Sequence, residues 1–163
     1  ETLVRNFGRT AAGVASAAFI AAAVPFVGQW EGIRTTAYQD IVGVWTVCYG
    51  ETRGVRPGDK YTREECDKML EREVVAFHRE LTKCAPSLPN QPIGVQVALT
   101  SWAYNVGTGA ACGSTLVRNL NNGDVKAACN QLPKWNRAGG QVVRGLSNRR
   151  ISEREMCLAS VTD

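Results

Sequence analysis

Hydrophobic and charged positions divide the chain into an uncharged start, an irregular middle and a helical remainder. Positions 10–30 are 21 consecutive residues without a charge. Residues 38–60 lack helical periodicity, and 38–43 have the composition of a turn. The run 44–49 is rich in β-branched and aromatic residues, and glycine and proline turn signals follow it. This middle region predicts a small unit of hairpins.

From position 62 the apolar residues recur at helical spacing. Thr62 and Glu65 form a capping-box pattern, which predicts that a helix of about twenty residues begins here. Further helices are predicted over 93–106, 114–120 and 125–132, and a last helix that Ser147 caps. Together these elements predict an α+β fold, in which a cleft separates a small β-hairpin lobe from a larger all-helical lobe.

The uncharged segment 10–30 is long enough to span a bilayer, but it is a poor membrane segment. Eight of its residues are alanine and few are large, so its insertion should be marginal. Arg5 and Arg9 precede it and favour a cytoplasmic N-terminus with export of the rest. The residues leave three interpretations open: a cleaved signal peptide, a buried alanine-rich core helix, and a weak uncleaved anchor that later leaves the membrane.

The cysteines favour an oxidising compartment. There are six, and the even number suits disulfides, although six cysteines permit fifteen pairings. We expect the pairings 48–66, 84–112 and 129–157, each of which closes a loop between neighbouring elements. No CxxC pair is present and His78 is the only histidine, so we expect no metal site and place His78 on a solvated helix face.

The charge pattern gives weaker information. A net charge of +4 is too mild to indicate a nucleic-acid-binding protein. Residues 118–154 hold eight basic and two acidic side chains, a basic face that suits an anionic surface, although a generic solvated face fits as well. Within it, we expect Arg149 and Arg150 to pair with acids of the β unit and so fix the two lobes.

Three residues at the end of the uncharged segment suggest chemistry: Glu31, Asp40 and Thr46. A carboxyl group held against apolar surface keeps its proton more readily, as a general acid must, whereas one in a wetter turn stays ionised. Two carboxyl groups in different environments suit glycoside hydrolysis. The spacing alone is weak evidence, because a helix cap and a surface charge would give the same pattern.

A wider set of motifs strengthens this interpretation. Residues 30–40, 43–46 and 49–50 resemble the active-site segment of the phage-type lysozymes, the endolysins of glycoside hydrolase family 24, with their Glu, Asp and Thr triad at the same spacing. The resemblance continues through 102–107, 114–118, 122–124 and 145–150. Segment 10–30 is similar to that of the signal-anchor-release subgroup, whose members are exported without cleavage and later leave the membrane.

The resemblance implies a lysozyme-like fold and hydrolysis of the β-1,4 bond between N-acetylmuramic acid and N-acetylglucosamine in bacterial peptidoglycan, which lyses the host. It implies Glu31 as the general acid, with Asp40 and Thr46 assisting attack by water. Tyr104 and Asn105 would line the saccharide cleft. The family usually inverts the anomeric centre, for which the carboxyl groups should lie about 6.5–9.5 Å apart.

Cys48 and Glu51 depart from the family pattern, since many relatives have glycine and histidine there. We expect Cys48 to add a disulfide beside the site, and Glu51 to pair with Arg53 or another base.

The expected organisation is a signal-anchor-release segment at 1–29, a catalytic segment with the β lobe at 30–60, and the helical lobe at 61–163. An inactive form would be anchored in the host inner membrane through 10–30, with Glu31 at the bilayer surface. After release to the periplasm, the segment would refold against the helical lobe. We expect a monomer that acts on glycan strands, without a cofactor and without nucleic acid as a partner.

Two other functions fit the sequence. A lytic transglycosylase would cleave the same bond with Glu31 but without the water-handling Asp40 and Thr46. A disulfide-bonded protein that binds the cell wall or disrupts membranes would release no reducing ends.

Overall fold

The computed structural model describes residues 15–161, which form a small β lobe beside a larger helical lobe. In chain order the elements are α1 (Ala17–Glu31), β1 (Arg34–Gln39), β2 (Trp45–Cys48), α2 (Arg63–Cys84), α3 (Ile93–Val106), α4 (Thr108–Cys112), α5 (Thr115–Asn121), α6 (Val125–Gln131), β3 (Arg137–Ala138), β4 (Gln141–Val142) and α7 (Arg144–Ser160). Short 3₁₀ helices, Leu88–Asn90 and Leu132–Lys134, precede α3 and follow α6. The predicted α+β class is confirmed.

The β lobe is an antiparallel hairpin of β1 and β2, in which Tyr38 lies opposite Thr46. The strand predicted from residues 44–49 is confirmed as β2, but β1 was missed because its threonines, arginine and glutamine show no clear alternation. Across the chain, β3 and β4 form a second hairpin. Gly139 and Gly140 form its turn, and both have positive backbone φ angles.

Helix α3 forms the centre of the helical lobe and has the bounds that the sequence predicts. All residues from 95 to 103 are buried, because α1, α2 and α7 contact it on different sides. Trp102 is fully buried and meets the half-buried ring of Trp135 edge-on at 5.3 Å. Trp102 therefore belongs to the core, and Trp135 packs against it.

Helix α1 docks on α2 and α3 through one apolar face. Phe19, Ala23 and Val27 are fully buried and recur at four-residue intervals, as a helical stripe requires. Their cluster includes Leu70, Val74 and Val97. Within residues 15–161, no helix is long and apolar enough to cross a membrane. Residues 10–14 of the uncharged segment lie outside the described part of the chain.

The three predicted disulfides are confirmed. They join β2 to α2 (Cys48–Cys66), the end of α2 to α4 (Cys84–Cys112), and α6 to α7 (Cys129–Cys157). The loops they close span 18, 28 and 28 residues. Each should stabilise the fold by about 3 kcal/mol through the lost entropy of the unfolded chain.

Two helix starts gave opposite outcomes. The capping box of α2 is confirmed, since Thr62 and Glu65 exchange both expected hydrogen bonds. The start predicted for α7 was wrong, because the helix begins at Arg144 and Ser147 lies in its first turn. There Ser147 Oγ accepts a hydrogen bond from Asn136 Nδ2 at 3.1 Å, so its side chain ties the β3–β4 segment to the helix instead of capping it.

The solvated position expected for His78 was also wrong. His78 is fully buried on the stripe of α2 that includes Val74 and Leu81, and its ring lies 4.4 Å from the Phe19 ring. Gln96 donates its amide hydrogens to backbone carbonyls, so its Oε1 accepts from His78 Nε2 at 2.9 Å. The ring is therefore neutral, and burial lowers its pKa. The four- and three-residue spacing was the missed signal.

Acid should weaken the fold through His78. The unfolded chain binds a proton near the ordinary histidine pKa of 6.5, whereas the buried ring resists it, so stability falls as pH drops below that value. The loss cannot exceed about 1.4 kcal/mol per pH unit for this one group. His78→Gln keeps a donor for Gln96 but does not titrate. Urea unfolding at pH 7.5 and 5.5 should show a smaller acid loss in the variant, and equal losses would contradict the prediction.

Candidate active site

Glu31 is the last residue of α1 and faces the helical lobe from the edge of the β lobe. Its Oε1 accepts a hydrogen bond from Arg149 Nη1 at 2.7 Å, and its side chain is 24% exposed. No hydrogen bond to its Oε2 occurs among residues 15–161. The carboxyl group is therefore held through one oxygen, while the other can meet a ligand.

Gly32 turns the chain sharply from Glu31 into the hairpin. Its φ of 69° and ψ of 156° lie in a region that is essentially restricted to glycine. Its N–H still bonds the carbonyl of Gly28, so the turn starts directly at the helix end. Strand β1 then begins only three residues after Glu31.

A buried ionic network stands behind Glu31. Arg149, Arg150 and Glu153 of α7 are all at most 4% exposed. Arg149 and Arg150 both contact Glu153, and Ser101 of α3 donates to the same carboxylate at 2.6 Å. The partners predicted for the two arginines were therefore wrong. They pair with Glu31 and Glu153 instead of β-lobe acids, and being buried they do not contribute to the predicted basic face.

Asp40 and Thr46 lie on the hairpin that follows Glu31. Asp40 Oδ1 accepts the backbone N–H groups of Val42 and Val44 at 3.0 and 2.9 Å, which fixes the β1–β2 turn. Thr46 is 4% exposed and its hydroxyl donates to the Val44 carbonyl at 2.9 Å. Because this bond uses the one hydroxyl proton, the lone pairs of Thr46 Oγ1 remain able to accept from another donor.

Tyr104 and Asn105 are neighbours in sequence but line different cavities. Tyr104 borders one of about 150 Å³ with Tyr49, Glu51, Arg53 and Glu73. Burial, reinforced by the negative charges of Glu31 and Glu73, raises the pKa of Tyr104 to about 12, so its hydroxyl stays neutral. Exposed Asn105 borders a wider cavity of about 490 Å³. Lys134, Trp135, Arg137 and Leu146 also line that cavity.

The two residues that depart from the family pattern have clear structural roles. Glu51 contacts Arg53 at 3.7 Å, as expected, and Arg53 also pairs with Glu73 of α2. Cys48 has a φ of 60°, a left-handed conformation that glycine adopts most easily, and its disulfide holds that conformation against α2.

In the structure Glu31 contacts Arg149, and its charge acts on Tyr104. Asp40 and Thr46 lie on the hairpin that follows Glu31. Arg149 and Glu153 were missed as site residues. Their four-residue spacing predicts a helical ion pair, but nothing in the sequence connects either to Glu31, which lies 118 positions before Arg149.

Within residues 15–161, no group of three or more His, Cys, Asp or Glu side chains is placed to hold a metal ion.

Comparisons with known proteins agree on one family. Residues 28–153 match the family model described as phage lysozyme. The chain is 43% identical over 130 residues to a SAR-endolysin of Bacteriophage PS119, covering 78% of this chain and 76% of the relative. A SAR-endolysin of Pseudomonas phage phiKMV is 40% identical over 145 residues, covering 86% and 89%. The crystal structure of the active form of the P1 phage endolysin Lyz superposes with a TM-score of 0.76 at 25% identity, covering 93% and 98%.

Replacing Gly32 with alanine should destabilise the protein through backbone strain alone. No atom lies within 4 Å of the added methyl group, so only the unfavourable φ and ψ count, at about 1–3 kcal/mol. Gly109→Ala in α4 is the matched control, because its site is equally open and has no positive φ. Urea unfolding should separate the two variants; equal stabilities would show that the chain leaves α1 without strain.

Proposed function

Because the chain belongs to the phage lysozyme family and is a lysozyme, we propose that it is an endolysin that hydrolyses the β-1,4 bond between N-acetylmuramic acid and N-acetylglucosamine in peptidoglycan. The observation that carries the proposal is the partly exposed Glu31, held by Arg149 at the start of the hairpin with Asp40 and Thr46. Glu31 protonates the glycosidic oxygen as the bond breaks.

The hydrogen bonds of Thr46 support its role toward water. Its hydroxyl proton is committed to the Val44 carbonyl, so Thr46 Oγ1 accepts a hydrogen bond from water rather than donating one. A water held in this way keeps a lone pair free for attack on the anomeric carbon. Asp40 is fixed through Oδ1, which leaves Oδ2 to orient that water or to stabilise the positive charge of the transition state.

Tyr104 and Asn105 are proposed to bind the glycan from the helical lobe. Tyr104 remains a neutral phenol at any physiological pH and can donate a hydrogen bond to a sugar oxygen. Asn105 is exposed at the mouth of the wider cavity, where its amide can pair with a hydroxyl or N-acetyl group.

Glu31→Gln should abolish cleavage of purified peptidoglycan without unfolding the protein, because an amide cannot deliver the proton. Turbidity loss and circular dichroism measure the two effects. Glu155→Gln, on the exposed side of α7, is the matched control and should remain fully active. Full activity of Glu31→Gln would overturn the assignment.

The products of the same digestion separate two enzymatic mechanisms. Hydrolysis adds water and releases reducing ends, whereas a lytic transglycosylase leaves an anhydro-muramic end. We expect reducing muramic ends by mass spectrometry. Binding without release of either end would instead favour a non-enzymatic wall-binding protein.

We further propose that residues 10–30 first anchor an inactive form in the host inner membrane and later release it to the periplasm. The relatives named SAR-endolysins support this, as does the alanine-rich, uncharged sequence. In the anchored form Phe19, Ala23 and Val27 cannot occupy their cluster with α2 and α3. The contact of Glu31 with Arg149 is then absent, so anchoring and activity exclude each other.

The exposed alanines of α1 offer a clean test of this switch. Ala17, Ala18 and Ala21 face solvent in the docked helix, so leucine there strengthens insertion in lipid without disturbing the docked face. The triple leucine variant should remain in the membrane fraction and delay host lysis. Serine at the same three positions is the control and should release at least as readily as the wild type. Unchanged lysis timing in the leucine variant would contradict the switch.

A further inference from the structure

Glu153 is a fully buried carboxylate that the proposed mechanism does not use. It accepts hydrogen bonds from Ser101 Oγ at 2.6 Å and from Arg150 Nε at 2.5 Å, and Arg149 Nε lies 3.4 Å from its Oε2. Arg150 Nη2 adds a contact at 3.4 Å. A buried charge needs such partners, because desolvation alone would expel it.

The hydrogen-bond partners of Glu153 favour its ionised state. Burial raises its pKa, but the two guanidinium groups and the serine hydroxyl oppose that rise. Both arginines can only donate hydrogen bonds. A proton on the carboxyl group of Glu153 would therefore place its O–H donor opposite an arginine N–H donor. The two guanidinium groups, Arg149 and Arg150, are thus shared between the carboxyl groups of Glu31 and Glu153.

Arg149 lies between the two carboxylates. Its Nη1 bonds Glu31 at 2.7 Å, its Nε faces Glu153, and its Nη2 donates to the Ser101 carbonyl at 3.1 Å. A guanidinium that faced Glu31 alone would strongly favour the ionised carboxylate, which cannot act as an acid. The second carboxylate removes part of that effect.

We propose that Glu153 is a positioning residue that acts through Arg149, because it fixes the guanidinium and offsets its charge beside Glu31. This rests on the proposed role of Glu31 as the general acid. Glu153 itself touches no substrate, since it is fully buried behind Arg149.

Other charges around Glu31 stay the same when Glu153 is changed. Arg149 contacts Glu31 from α7, and the charge of Glu31 acts on Tyr104 of α3. Glu73 of α2 and Glu51 of the β lobe also act on Tyr104 through their charges, and they line the same cavity. A change in the pH profile after substitution of Glu153 therefore arises from Arg149 and from the loss of the Glu153 charge.

The test is the pH profile of peptidoglycan cleavage by Glu153→Gln. A general acid works only while protonated, so activity falls as pH rises past the loss of the Glu31 proton. In the variant this alkaline limb should lie at lower pH by about half to one unit. At a fixed pH on this limb, that shift corresponds to a loss of activity of about three- to tenfold. Activity on the acid side should be retained. Glu155→Gln, on the same helix, should keep the wild-type profile.

Two additions keep the outcome decisive. If Glu153→Gln does not fold, the double variant Glu153→Gln/Arg150→Gln restores the charge balance, and its limb should move in the same direction by less. Carbon-13 NMR titration of the glutamate carboxyls, with the Glu31 signal assigned by its loss in Glu31→Gln, reports the proton on Glu31 without any substrate. An unshifted Glu31 titration in the folded variants would overturn the inference. An active Glu31→Gln would instead overturn the proposed function, whatever the titration shows.

Discussion

The contact between Glu31 and Arg149 makes docking of α1 and assembly of the site a single event. Ser101 and Glu153 hold Arg149 from the helical lobe, without any contribution from α1. Glu31 can reach it only when the preceding turns of α1 occupy their apolar cluster on α2 and α3. A polar contact of 2.7 Å thus depends on a stripe of buried apolar side chains that begins three turns earlier.

The β lobe follows directly from α1, and it is also attached to α2 by a disulfide and a hydrogen bond. The Cys48–Cys66 disulfide joins β2 to α2, and Tyr49 Oη donates to Asp67 of α2 at 2.5 Å. Gly32 fixes how the chain leaves α1. The hairpin that carries Asp40 and Thr46 is therefore tied to α2 at one end and to the end of α1 at the other, which leaves it little freedom relative to Glu31.

Local signals in the sequence predicted most of the fold, but they did not predict the partners of Glu31 and His78. The capping box and the bounds of α3 follow from spacing over a few turns, whereas the disulfide pairings were an expectation, chosen from fifteen, that the structure confirms. The errors concern burial and distant partners. His78 is polar, so its place on an apolar stripe was overlooked, although Gln96 bonds its Nε2 across 18 positions. Arg149 meets Glu31 only through tertiary packing, which no pattern near either residue records.

The small residues of α1 matter in water as much as in lipid. Ala23 is fully buried, and a Cβ on Gly28 would lie 3.2 Å from Tyr49 and 3.3 Å from Leu70. Larger side chains at these two positions would strengthen insertion in lipid but would hold α1 away from α2 and the hairpin. The small side chains of α1 thus let the helix approach closely enough for Glu31 to meet Arg149. If this segment forms the proposed anchor, the same small side chains that allow close packing in water also make its insertion in lipid marginal.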